Sequence, residues 1–341
     1  MVLAPMADVT DAAFRRIIAK YGKPDVMYTE FVSADGLCHP EGRKKLLIDL
    51  LYTPSERPIV AQLFTGHPDK MREAAKLIAE LGFDGLDINM GCPDRKVEKQ
   101  CAGAALMKNP KLAREIIRAA KEGAPNLPVS IKTRIGYDKN DLETWLPELL
   151  AEEPAAVTIH CRTRKEMSDV PARWEHVREA VAIRDSFFSR SDLSPDPRSD
   201  LAKPLIFGNG DVTDLADARA KAAEFGADGV MLGRAIFGNP WLFAGVGKRS
   251  NPPAGGSDLG EPPVQKRLEV MLEHTKLFGE LFKDIKNFAV MKKHYKAYVK
   301  GFPACAGRDG AKELRVKLME AESVEVIEDL VHEFLQTSAT L

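Results

Sequence analysis

Asn89 and Cys92 stand three residues apart at the end of the short apolar run Gly85-Leu86-Asp87-Ile88, followed at once by Pro93. A run of that length bounded by glycines and a proline reads as a buried parallel strand. One that ends in an amide, a glycine and a thiol puts polar, reactive groups at its carboxyl end, where barrel and open-sheet α/β enzymes hold their ligands. Other runs end the same way: Gln62 after one, Lys132 and Arg134 on another, His160 and Arg162 on a third. Burying an ammonium or an imidazole inside an apolar run costs several kcal/mol unless it meets a partner. A single buried cysteine or histidine is ordinarily a packed core residue. Several strands ending alike point instead to a shared ligand. Gly208-Asn209-Gly210-Asp211 and Gly233-Arg234 follow the last two runs. In a barrel that pair of loops binds phosphate, because glycines let backbone N–H groups approach the anion and arginine adds a fixed charge. A phosphate-bearing cofactor is implied.

Eight apolar runs position these groups: Val2 to Pro5, Val26 to Val32, Ile59 to Phe64, Gly85 to Asn89, Val129 to Arg134, Ala156 to Arg162, Leu205 to Gly208 and Gly229 to Leu232. Helical patterns alternate with them, such as Asp69 to Leu81, which sets Met71, Ala74, Ala75 and Ile78 on one face. This predicts a (β/α)8 TIM barrel, with an open doubly wound sheet as the alternative. Ser186 to Ala202 reads as an extended surface loop. Gly247 to Pro263, rich in Pro and Gly, reads as a linker. The expected organisation is a barrel over 1–246, a linker over 247–263 and a small C-terminal helical bundle over 264–341. The bundle's helices are expected near Val264 to Phe282, Ile285 to Lys300, Ala311 to Ala321 and Val324 to Leu335.

With 341 residues, 44% hydrophobic and 29% charged, the chain is an ordinary globular protein with no run long enough to span a membrane. The first ten residues lack a secretory pattern, so a cytoplasmic location is expected. Five irregularly spaced cysteines suggest neither a disulfide framework nor a zinc site, and no metal is expected. A net charge of -1 makes no global claim on nucleic acid. Between Lys283 and Lys317, however, ten Lys and Arg face three Asp and Glu, with His294, Tyr295 and Tyr298 among them. Such a patch would release counterions on binding phosphates, although a charge run is more often a solvated face.

LAPMADVTDAAFR at 3–15, QLF at 62–64, DINMGCP at 87–93, AGAALM at 102–107, IKTRIG at 131–136, IHCRT at 159–163, GNGD at 208–211 and GRAIFGNPW at 233–241 together resemble the tRNA-dihydrouridine synthase family. MKKHYKAYVKG at 291–301, followed by AKELR at 311–315, is similar to that family's helical RNA-binding domain. The resemblance implies an FMN-dependent reduction of the uridine C5=C6 bond in tRNA, with NADPH as transient reductant and no obligate protein partner. Pro5, Met6, Ala7, Gln62, Lys132, His160, Asn209, Gly210, Asp211, Gly233 and Arg234 would hold FMN. Asn89, Arg134 and Arg162 would meet the uracil, and Lys292 and Lys293 the tRNA backbone. Cys92, a neutral thiol near pH 7, would donate the proton to C5. Two departures from the family's pattern stand out: Cys161 where glycine is usual, and Gln100-Cys101 where glycines are common. Two other readings remain open. One is an FMN barrel reducing a small enoate or pyrimidine base, and the other is a tRNA-binding protein without chemistry.

Overall fold

The structure is a computed structural model that describes residues 1–189, 203–245, 262–302 and 310–339. Eight strands form one sheet: β1 (Val2–Leu3), β2 (Met27–Ser33), β3 (Ile59–Phe64), β4 (Gly85–Met90), β5 (Val129–Arg134), β6 (Ala156–His160), β7 (Leu205–Asn209) and β8 (Gly229–Leu232). All pairings are parallel, in the order β1-β8-β7-β6-β5-β4-β3-β2. A parallel bridge from Val2 to Val26, with Leu3 N–H donating to Val26 O at 3.1 Å, joins the two ends and closes the ring. The fold is therefore the expected TIM barrel and not the open sheet.

Alternation along the strands separates the two faces of the ring. Leu86, Ile88, Met90, Ile131, Val157, Ile159 and Ile206 are fully buried under surrounding helices such as Pro68–Glu80 and Pro110–Gly123. The opposite faces bring Asp87 level with Ser130, Asn89 level with Lys132 and Thr158, and Arg134 level with His160 and Asn209. That interior is polar around β3 to β6. Around β8, β1 and β2 it is apolar, where Val2, Ala4, Tyr28 and Met231 pack with Met6, Val26, Val60 and Phe207. Helix boundaries follow local chemistry. Asn109 caps Pro110–Gly123 by accepting the N–H of Leu112, and Gly226 ends Leu215–Phe225 at φ 73°. Ser186 to Ser189, expected in a loop, extend the helix Glu175–Ser189; the rest of that expected loop from 190 to 202 lies outside the described residues.

The chain divides into two compact units, one of Met1–Met6 with Asp25–Gly233, the other of Ala7–Pro24 with Arg234–Leu341. The segment after β1, including the helix Ala12–Tyr21, is thus grouped with the C-terminal helices. The expected linker lies outside the described residues except for Pro262 and Pro263.

The second unit contains helices Val264–Phe282, Lys292–Tyr298, Gly310–Glu320 and Val324–Ala339. The single helix expected over Ile285 to Lys300 is broken. Asp284 takes φ 63°, and Asn287 turns its side chain onto the N–H of Ala289 at 2.8 Å, starting a 3-10 turn over Phe288–Met291. His294, Tyr295 and Tyr298, which the sequence sets among lysines, are fully buried core residues and offer no surface for stacking bases. Among the described residues no helix is long and apolar enough to cross a membrane, and no group of three or more His, Cys, Asp or Glu could hold a metal.

Candidate active site

β4 delivers Asn89 at its carboxyl end, and the chain then turns through Gly91 and Cys92. Asn89 shapes that turn: its Oδ1 accepts the N–H of Gly91 at 3.1 Å and of Cys92 at 2.9 Å. Its Nδ2 donates to Gln62 Oε1 at 3.0 Å. The expected role of Asn89 toward a ligand narrows accordingly, because both lone pairs of the carbonyl are taken and one amide hydrogen is left. Cys92 O accepts from Ala104 N at 2.9 Å, and Gly103, at φ 60°, fits where a Cβ would lie 2.7 Å from that same oxygen. Cys101 adopts φ 54°, the left-handed region that favours glycine, so this departure from the family pattern sits where glycine suits the backbone.

The Cys92 thiol is half-buried, beside Phe64, Val97 and Ala102. Burial raises its pKa above the ordinary thiol value, against smaller opposing effects of the Asp94 N–H, Arg134 and Lys132. It therefore holds its proton at neutral pH. The side-chain ammonium of Lys132 on β5 makes no hydrogen bond or ion pair among the described residues. Its pKa is lowered to about 8, first by desolvation and then by Arg134, with Asp87 and Cys92 acting in the other direction. An ammonium in that state is short of an acceptor.

Two arginines expected to face the substrate are largely engaged by the fold. Arg134 donates through Nε to Gly91 O at 2.8 Å and through one terminal nitrogen to Thr163 O and Met167 O, both at 2.9 Å. Arg162 donates to Val170 O at 2.6 Å, pairs with Asp211, and contacts His160 Nε2 at 3.1 Å. A guanidinium only donates, so that imidazole nitrogen accepts. Cys161 is fully buried with its thiol on Ile159 O at 3.7 Å, which leaves Arg162 its contacts.

At the glycine loops, Asn209 Nδ2 donates to Met231 O at 2.8 Å and ties β7 to β8. Gly210 has φ 126°, and a Cβ there would come within 2.7 Å of Ala172. The Asp211 carboxylate is turned to Arg162 and the Ala172 N–H, so the fold already engages this side chain. A Cβ on Gly233 would meet Met6 Sδ at 3.5 Å and the Ala4 Cβ at 3.6 Å, ordinary van der Waals contacts. Pro5 is buried and Met6 half-buried after β1. Ala7 and Arg234 fall in the second unit, Arg234 opening the 3-10 turn Arg234–Ile236, and so do Lys292 and Lys293. Lys293 reaches Asp8 at 3.5 Å, both exposed.

Sequence reasoning missed Asp87 and Ser130. Asp87 is fully buried, with a pKa raised to about 6 by desolvation against the donors Ser130 and Gln62. Its signal was the one that marked Lys132, a charge inside an apolar run.

A family profile for dihydrouridine synthases matches residues 2–187 and 198–339. A protein of Bacillus subtilis (strain 168) named probable tRNA-dihydrouridine synthase 2 is 37% identical over 335 residues, covering 98% of this chain and 93% of its own length. A Staphylococcus aureus (strain MRSA252) protein named probable tRNA-dihydrouridine synthase is 36% identical, covering 98% of this chain and 92% of its own. Among solved structures, morphinone reductase aligns with TM-score 0.48 and 13% identity, over 76% of this chain and 90% of that one.

Proposed function

The chain belongs to the dihydrouridine synthase family, and on that premise we propose that it reduces the C5=C6 bond of specific tRNA uridines to 5,6-dihydrouridine, holding FMN in the barrel mouth and drawing on NADPH as reductant. The observation that carries this reading is the Lys132 ammonium: among the described residues it meets no acceptor, and it lies within electrostatic reach of the Cys92 thiol. The residues present fit FMN. Lys132 and the second amide hydrogen of Gln62 suit the flavin's pyrimidine edge, while the glycine backbone at Gly210 and Gly233 suits its phosphate. When bound, FMN would supply the hydride that adds at C6 of the uracil.

The protein's own part is to bind, polarise and protonate. The remaining N–H of Asn89 and the free end of Arg134 would hydrogen-bond the uracil carbonyls and draw electron density from the C5=C6 bond. Cys92, kept neutral by burial, would then give its proton to C5. A uracil inside a folded tRNA reaches a barrel mouth only after leaving its stack. The grip would come from the helical domain over 264–341, through Lys283, Lys292, Lys293, Lys296 and Lys300. The test is to look for a flavin's visible absorption in the purified chain and to map dihydrouridine by mass spectrometry in tRNA from cells lacking the gene. Loss of dihydrouridine at defined positions is the expected result; a colourless protein that takes up no FMN, or unchanged tRNA, would overturn the proposal.

A further inference from the structure

Asp87 takes no part in the chemistry above, yet it lies fully buried at the base of a chain of hydrogen bonds that ends on the Cys92 turn. Ser130 Oγ donates to its Oδ1 and Gln62 Nε2 to its Oδ2, each at 2.6 Å. Gln62 Oε1 accepts from Asn89 Nδ2 at 3.0 Å, and Asn89 Oδ1 accepts the N–H groups of Gly91 and Cys92. An ionised carboxylate can only accept, and that constraint directs every later link. Gln62 must turn its NH2 toward Asp87 and its oxygen toward Asn89. Asn89 must in turn direct its NH2 to Gln62, leaving its oxygen for the two backbone donors.

We propose that Asp87 is a positioning residue for Cys92, orienting the Gln62 and Asn89 amides as one unit and through them holding the Gly91–Cys92 turn that presents the thiol. The inference deepens the uridine-reductase reading and rests on it for the role of Cys92. What the chain of bonds requires of position 87 is an acceptor and not a negative charge. An asparagine there keeps an oxygen for Gln62, and its NH2 can donate to Ser130 Oγ, which accepts as readily as it donates. A leucine leaves the Gln62 amide with nothing to face, and the orientation of both amides is released.

The test follows alkylation of Cys92 by iodoacetamide in the flavin-free protein, peptide by peptide by mass spectrometry, with exposed Cys101 as internal reference. Asp87→Leu and Gln62→Leu should each raise the Cys92 rate relative to Cys101 by about fivefold or more, whereas Asp87→Asn stays within about twofold of wild type. Gln62→Leu leaves the carboxylate held by Ser130, so it decides the matter alone if Asp87→Leu does not fold. An unchanged ratio in a folded leucine variant overturns the proposal, as does Asp87→Asn behaving like Asp87→Leu. A wild-type protein that binds no FMN sinks the functional reading instead, and the alkylation result stands apart from it.

Discussion

Arg134 Nε lies 2.8 Å from the carbonyl oxygen of Gly91, so the guanidinium on β5 grips the backbone one residue before Cys92. With its other contacts to Thr163 O and Met167 O, Arg134 ties the loops after β4 and β6 to the end of β5. Arg134→Lys keeps the charge but cannot reproduce the fork, leaving buried carbonyls unpaired. We expect a loss of about 2–3 kcal/mol of stability by urea unfolding. Turnover of tRNA should fall by tenfold or more on the order expected for lost orientation, with FMN affinity little changed.

Cys92→Ala removes the proposed proton donor and leaves the turn, whose hydrogen bonds to Asn89 come from the backbone. It should bind FMN and accept hydride from NADPH normally, while dihydrouridine formation slows by about 10²–10⁴-fold. Single-turnover mass spectrometry of tRNA checks this. Normal turnover would remove Cys92 from the role of acid.

Two charges inside the barrel set opposite pH windows for stability. Asp87 titrates at about 6 in the fold against an ordinary 3.8, so the folded state holds its proton more tightly. Its contribution is complete below about pH 4 and is lost as pH rises through 6. Lys132 titrates at about 8 against an ordinary 10.5, so its contribution is complete above 10.5 and is lost as pH falls through 8. Urea midpoints measured across pH should flatten between about 4 and 6 in Asp87→Asn and between about 8 and 10.5 in Lys132→Met. Unaltered profiles would show that neither charge is desolvated as described.

The second unit carries its own acid sensitivity. His274 and His294 are fully buried against Phe14 and each other, ring centroids 4.7 Å apart, and none of their ring nitrogens has a hydrogen-bond partner. Burial lowers both pKa values, that of His294 to about 3, with His294 opposing the charge on His274 and neighbouring Lys293 opposing that on His294; Tyr298 is the other titratable group against His274. Neutral histidines contribute stability above about pH 6.5 that is lost as pH falls toward 3. His294→Phe should therefore move the acid-unfolding midpoint, read by circular dichroism, to lower pH.

Lys292 and Lys293 are expected to contact phosphates. Replacing both with alanine should weaken tRNA binding without changing flavin affinity and reduce the salt dependence of log K by about 1–2. Lys293 already faces Asp8, so Lys292→Ala should account for the larger share. A salt slope equal to that of wild type would place the tRNA elsewhere.

The sequence by itself determined the barrel and the polar groups at the carboxyl ends of its strands. Buried parallel strands are written as short apolar runs between glycines, and a thiol, an ammonium or a glycine-rich turn at their ends needs no long-range information to be seen. What it could not carry was the direction of side-chain hydrogen bonds. Asn89 and Arg134 read as groups aimed at a ligand, but the structure ties them to Gly91, Cys92, Thr163 and Met167. Asp87 passed as part of a motif until its neighbours across β3 and β5 were in register. The tertiary structure alone decided that His294, Tyr295 and Tyr298 are core and not surface, and that Ala7–Pro24 groups with the C-terminal helices. Periodicity is a local property of the chain, whereas the partner of a buried polar atom is chosen by strands and helices far away in sequence.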